Sequence, residues 1–227
     1  MTRFGDDRED WGIEGGEEPL VDLLESLAAT PAGAVSIPFL GKASRQTLLA
    51  ATLALGYRRA RERVGEGGTE VRQDFELTMD VPVDSILHDF RRDLSRRIRR
   101  GAARMAHAPL PDDWHLNDLV VQRYAAGSAG ISPHRDHKAY QGVVLLLTLC
   151  GDARLYVCRD RQGTGAIEVD IAPGRLLALA APGFAGGDQR PFHFVDAVRS
   201  ARVSLGLRWD RRKPAEADAL GRPAAGC

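Results

Sequence analysis

The sequence predicts an α+β domain, a double-stranded jelly roll buttressed on one face by N-terminal helices. Two observations carry this expectation. Apolar residues recur at helical spacing up to about residue 107, whereas from Asp118 onward short runs rich in Val, Leu, Ile and Tyr alternate with Gly, Asp or Pro. Helices first and closely spaced strands second point to segregated layers around one core. At 227 residues the chain has the length of a single domain that can bury a substantial core.

Residues 1–18 are Gly-rich, acidic and poor in apolar content, which predicts a disordered N-terminus and places the domain at 19–212. Pro19 suits a first helical turn, and Leu20, Leu23, Leu24 and Leu27 form one stripe that ends before Thr30-Pro31. A second helix is expected over 44–55, with Ser44 as its cap and Gly56 as its stop. Val71, Gln73, Phe75 and Leu77 then alternate like one strand. A long helix is expected over 84–107, closed by Pro109 and Pro111, with Leu87, Phe90, Leu94, Ile98, Gly101 and Met105 on its apolar side. Strands are expected at 119–124, 143–149, 155–158, 167–171, 176–180, 192–195 and 202–209, making 118–210 the half that carries the chemistry. The tail, 213–227, is rich in Ala, Gly and Pro and is expected to be disordered. No internal repeat is visible.

The formal net charge is zero, but residues 1–30 hold nine Asp or Glu against two Arg, which leaves about +7 on the remainder. Seven arginines fall between Phe90 and Arg104. They could form a nucleic-acid footprint, but helical spacing puts them opposite the apolar stripe, as the solvated face of an amphipathic helix. The three cysteines, Cys150, Cys158 and Cys227, are odd in number and lack C-x-x-C spacing, so neither a disulfide framework nor a zinc clip is implied and a cytoplasmic setting is expected. The longest apolar run, 143–150, is too short to span a bilayer, and no membrane partner is expected.

The informative segment is Ser132-Pro133-His134-Arg135-Asp136-His137. On an extended edge, residues 134 and 136 project to one side, so an imidazole and a carboxylate converge while Arg135 and His137 point away. His193, 59 positions after His134 in another expected strand, supplies a third ligand. Two His and one carboxylate leave metal positions open, which suits Fe(II) with a chelating co-substrate and dioxygen. H-x-D alone recurs by chance, and the next element adds the weight. Positions 202, 204, 206 and 208 share one strand face, which therefore carries the Arg202 and Arg208 guanidiniums and the Ser204 hydroxyl. Inward arginines need partners, and a dicarboxylate ligand or an internal Asp or Glu would serve. A zinc hydrolase of the metallo-β-lactamase type would need a further His at position 132, which is Ser132.

In spacing and order, Tyr124, His134-x-Asp136, His193 and Arg202-x-Ser204 resemble the 2-oxoglutarate and Fe(II)-dependent oxygenase superfamily, over about 90 residues. Gln122-Arg123-Tyr124 and the strand from Arg202 to Arg208 look most like its AlkB-type branch. They depart from it at Gln122, Ser204 and Gly206, where that branch reads N-x-Y and R-x-N-x-T-x-R. The resemblance implies a double-stranded β-helix and an enzyme using Fe(II), 2-oxoglutarate and dioxygen. His134, Asp136 and His193 would be its catalytic iron ligands. Arg202 and Ser204 would bind the distal carboxylate of 2-oxoglutarate, with Tyr124 and Gln122 beside them and Arg208 at the keto-acid end. Retention of Asp136, where related halogenases carry a small residue, implies hydroxylation or another oxidation. The substrate is expected to be a small polar metabolite. AlkB-type demethylation of nucleic acid or protein, and a non-catalytic jelly-roll metal- or ligand-binding protein, are the alternatives. Lys138, Tyr140, Asp188 and Arg190 are the substrate-side candidates, and the glycine-rich segment 183–190 is either a lid or a connector.

Overall fold

The computed structural model describes Trp11 and residues 18–214. The disorder expected of both termini therefore falls mostly outside the described residues. Trp11, within the first of those stretches, is buried and meets Phe90 edge-on at 5.2 Å between ring centroids.

In chain order the elements are α1 (Glu18–Ala29), β1 (Ala34–Pro38), α2 (Lys42–Leu53), β2 (Arg58–Arg59), β3 (Arg63–Val64), β4 (Val71–Asp74), β5 (Glu76–Thr78) and α3 (Ile86–Arg104). The strand-rich half follows with β6 (Asp118–Tyr124), β7 (Gly130–His134), β8 (Val143–Cys150), β9 (Arg154–Cys158), β10 (Ile167–Val169), β11 (Arg175–Ala180), β12 (Phe192–Asp196) and β13 (Arg202–Arg208). A major sheet runs β1-β11-β8-β13-β6-β5-β2 and a minor sheet β10-β9-β12-β7-β4-β3, with every pairing antiparallel. The two sheets face each other as a double-stranded β-helix, and the helices cover the outer face of the major sheet.

Residue parity separates the two cores. Val121, Leu145, Leu147, Val203, Leu205 and Leu207 join Leu20, Leu24, Phe90 and Leu94 in the helix-facing cluster. Tyr124, Val144, Leu177 and Leu179 project the other way, against Ile131, Leu155, Val157 and Val195 of the minor sheet. Period-two alternation thus places the odd positions of β6, β8 and β13 under the helices and their even positions in the sandwich interior, with the parity reversed in β11.

The structure corrects several sequence expectations. α2 begins at Lys42 behind Gly41, with no side-chain cap, and ends before Ala54, so Ser44 lies inside its first turn and Gly56 beyond its end. The expected strand through Val71 and Leu77 divides at Phe75 into β4 in the minor sheet and β5 in the major sheet. Phe75 is buried in the sandwich, and alternation continues across the switch, so the pattern does not register it. β1, with no distinctive pattern, adds an edge strand beside β11. α3 is shorter than expected; Ser85 caps it by accepting from the Leu87 amide at 3.3 Å. Its arginine face is not wholly solvated, because Arg91 is buried and donates to the Leu116 carbonyl. Arg92 and Arg97 pair with Asp89 and Asp93 at 2.6 Å each. Among the described residues no helix is long and apolar enough to cross a membrane, and Cys150 and Cys158 are free thiols.

Gly130 sets the closest approach between β7 and β12. Its φ is +75°, and a Cβ there would lie 1.9 Å from the Val195 carbonyl oxygen. Gly130→Ala is expected to destabilise the fold by more than about 1 kcal/mol, because an L side chain at this φ must displace backbone. A melting curve measures the loss. The same displacement should disturb the register of β7 and β12, which presents the facing histidines described next.

Candidate metal centre and co-substrate pocket

His134 ends β7 and stands directly opposite His193 of β12 in the antiparallel register. This brings their rings to 4.3 Å between centroids. Asp136 lies two residues past the end of β7, with its Oδ2 3.9 Å from His193 Nε2. One ligand atom from each of the three falls within 4.8 Å of the others, a spacing that one metal ion can bridge. The three residues expected as ligands are thus brought together.

The imidazole tautomers follow from their partners. His134 Nδ1 lies 2.9 Å from the Ser132 carbonyl oxygen, and His193 Nδ1 lies 3.2 Å from that of Pro191. A carbonyl only accepts, so each Nδ1 carries the proton and each Nε2 keeps its lone pair for a metal. Burial, with the neighbouring His193, lowers the His134 pKa to about 4, which keeps the ring a neutral ligand at neutral pH. Arg190 donates to the Asp136 backbone carbonyl at 2.8 Å, fixing the loop that carries the carboxylate.

The three ligands open onto a cavity of about 420 Å³ between the sheets. Gln122, Tyr124, Arg202 and Arg208 line it, from the even positions of β6 and β13. Arg202 is 2 % exposed and has no carboxylate partner among the described residues; its Nη1 donates to Ser204 Oγ at 3.0 Å and its Nη2 to Thr148 Oγ1 at 3.1 Å. Its Nε is buried and unpartnered. Desolvation pulls the Arg202 pKa below the usual guanidinium value. Tyr124, whose ring centroid is 5.4 Å from the Arg202 guanidinium carbon, is pushed up to about 12 by burial and remains a neutral phenol.

Arg208 differs. It donates to Asp118 Oδ2 at 2.9 Å and to the Tyr140 hydroxyl at 3.3 Å. Burial disfavours its charge, but Tyr140, Asp136 and Asp118 outweigh burial and raise its pKa. Of the two ways to compensate an inward arginine, Arg208 therefore has the internal carboxylate, and Arg202 lacks one. Gly206 leaves space for this arrangement, since a Cβ there would sit 3.0 Å from Arg208 Nη2.

Other expected positions fall differently. Ser204 is fully buried and braces Arg202 from behind without lining the cavity. Tyr140 lines the cavity, whereas Lys138 and Asp188 are exposed and do not. Arg190 reaches only the back of the metal loop. Segment 183–190 is fastened by buried Phe184 and by the Ala185 amide, which donates to the Pro109 carbonyl at 2.7 Å. Arg135 and His137, expected to point away, both line the cavity, because β7 ends at His134 and strand alternation no longer applies. Thr148 and Asp118 were missed. Thr148 is the one hydroxyl in the apolar run of β8, a signal that was readable, but Asp118 becomes Arg208's partner only through the β6–β13 register.

The donor set suits Fe(II): two imidazoles and a carboxylate on one side, with open positions toward a cavity that holds an uncompensated guanidinium.

No protein-family model and no curated protein matches the chain. Solved structures share its fold. A prolyl hydroxylase from Trichoplax adhaerens, in complex with a hypoxia inducible factor oxygen degradation domain peptide fragment, is similar with a TM-score of 0.62 at 15% identity, covering 91% of this chain and 95% of that one. A 2OG-Fe(II) oxygenase family oxidoreductase from Burkholderia pseudomallei gives 0.59 at 17% identity, covering 87% and 91%. A Pseudomonas putida prolyl-4-hydroxylase gives 0.59 at 18% identity, covering 86% of this chain and 100% of its own.

Proposed function

We propose that this chain is an Fe(II)- and 2-oxoglutarate-dependent oxygenase that hydroxylates a small substrate. The observation that carries the reading is Arg202, a buried guanidinium without a carboxylate in the same cavity as the three metal ligands. A buried charge of this kind calls for an anion, and the distal carboxylate of 2-oxoglutarate matches its fork bidentately. His134, Asp136 and His193 would hold the iron, and Ser204 and Thr148 would aim Arg202. Fe(II) held there would supply the oxidative chemistry: with dioxygen and the keto acid, one oxygen atom would enter succinate as carbon dioxide leaves and the other would enter a substrate C–H bond. The chain's own part is to fix the donor geometry, neutralise the distal carboxylate and exclude water from an apolar cavity.

A cavity of about 420 Å³, shared with the co-substrate, favours a small molecule or a single side chain. The AlkB-type reading rests on Gln122-Arg123-Tyr124 and the Arg202–Arg208 strand. The arginine helix gives it little support, because α3 packs on the outer face of the major sheet, across from the cavity.

Anaerobic addition of Fe(II) and 2-oxoglutarate should produce a visible charge-transfer band, and admission of air should release succinate, faster with a metabolite pool containing the substrate. A protein that binds neither Fe(II) nor 2-oxoglutarate sinks the proposal. A band without succinate under any pool indicates the non-catalytic binding protein.

A further inference from the structure

Four arginines, Arg58, Arg135, Arg202 and Arg208, line the cavity against one lining carboxylate, Asp136. In the proposed oxygenase, on which this inference rests, the metal and two of these four arginines are accounted for. Fe(II) is balanced by Asp136 and the keto-acid carboxylate, Arg202 by the distal carboxylate, and Arg208 by buried Asp118. Arg58 and Arg135 remain, with no ion-pair partner among the described residues.

Nearby, Arg59 pairs with Asp74 at 2.9 Å and Arg63 with Glu70 at 3.3 Å, whereas Arg58, which lines the cavity, has no such pair. Arg58 comes from β2 at the end of the major sheet, and Arg135 follows β7 of the minor sheet, so the two charges approach from different walls. The Arg135 guanidinium carbon sits 4.2 Å from the Phe192 ring centroid, which holds its plane while leaving its edge donors available. The wall near Arg58 is apolar: Val64, Val71, Leu77 and Met79 line it, and Val64 and Met79 are 44% and 45% exposed. Such apolar surface beside unneutralised cations is suited to a ligand with both characters.

We propose that Arg58 and Arg135 bind an anionic group, a carboxylate or phosphate, on the primary substrate, whose apolar body lies along Val64, Val71, Leu77 and Met79. The substrate class is a small anionic amphiphile. Both arginines are exposed, so their charges cost little before the ligand arrives and gain strength when it excludes water.

The test uses the full chain loaded anaerobically with Fe(II) and 2-oxoglutarate, titrated by calorimetry with octanoate, octyl phosphate, octanamide and octylamine. At least one anion is expected to bind about 10-fold or more tightly than the amide, and the amine not at all; the stronger of octanoate and octyl phosphate identifies the group. Arg58→Gln should remove that preference while the charge-transfer band of the loaded site persists. Arg135→Gln should do the same; should its band fail, the result rests on Arg58→Gln. Equal binding of amide and anions, or no anion binding, overturns the proposal. So does a single-stranded oligonucleotide that binds in an Arg58-dependent way where the small anions do not. Absence of the band in the unsubstituted protein refutes the oxygenase reading instead, which keeps the two failures distinct.

Discussion

Asp136→Ala and His193→Ala are each expected to weaken Fe(II) binding by at least about 100-fold, beyond the roughly 10- to 100-fold that outer partners of metal ligands are worth. The reason is the thinness of the site. Only three ligand atoms converge within 4.8 Å, and no other cluster of His, Cys, Asp or Glu that could hold a metal lies among the described residues, so nothing nearby can replace a lost donor. The Fe(II)- and 2-oxoglutarate-dependent band should vanish in both variants, and an anaerobic Fe(II) titration measures the affinity. Either variant binding Fe(II) like the parent protein would remove that residue from the ligand set. The fold itself should survive, because both hydrophobic cores are built from apolar residues that do not depend on the ligands. Chelation should therefore lower the melting temperature without unfolding the protein.

Arg202→Met should change stability and binding in opposite directions. In the ligand-free protein Arg202 is a fully desolvated cation whose partners are two hydroxyls and whose Nε is orphaned. Replacing it with an apolar side chain of similar length is expected to leave the ligand-free fold unchanged or more stable by about 1–4 kcal/mol, as happens when buried ionic groups give way to well-packed apolar ones. The affinity for 2-oxoglutarate should fall by about 2–5 kcal/mol, roughly 30-fold to several thousand-fold, because a carboxylate would then be buried without its cation. In the parent protein, 2-oxoglutarate at about 100 times its Kd should add about 2.7 kcal/mol of stability, and the variant should lose that gain at the same concentration. Melting curves with and without 2-oxoglutarate separate the effects. An unchanged affinity would transfer the role to Arg208, whose charge is already shared with Asp118.

Much of the site was readable from local chemistry. His134, Asp136 and His193 announce themselves as types that bind metal, and strand alternation places Arg202, Ser204 and Arg208 on one face before any pairing is known. The errors came where alternation stopped. Arg135 and His137 turn into the cavity because β7 ends at His134, and Lys138 in an exposed turn and Asp188 in an exposed loop lie outside it. The Ser44 cap failed for a related reason: a capping residue type marks a helix start only where the backbone is free to turn, and α2 had already begun at Lys42.

The chain's linear pattern was sufficient for the class of fold, the helix-facing and interior parities of its strands, and the kinds of side chain available for chemistry, because each depends on periodicity within a few residues. Tertiary structure decided which of those side chains meet. His134 faces His193 through the register of β7 and β12, Asp118 reaches Arg208 across 90 positions, and β4 and β5 join different sheets although they read as one strand. These outcomes depend on long-range pairing, in which a shift of one residue would turn every side chain of a strand to its other face. The same pairing leaves Arg202 without a carboxylate, and from that vacancy of charge the proposed co-substrate follows.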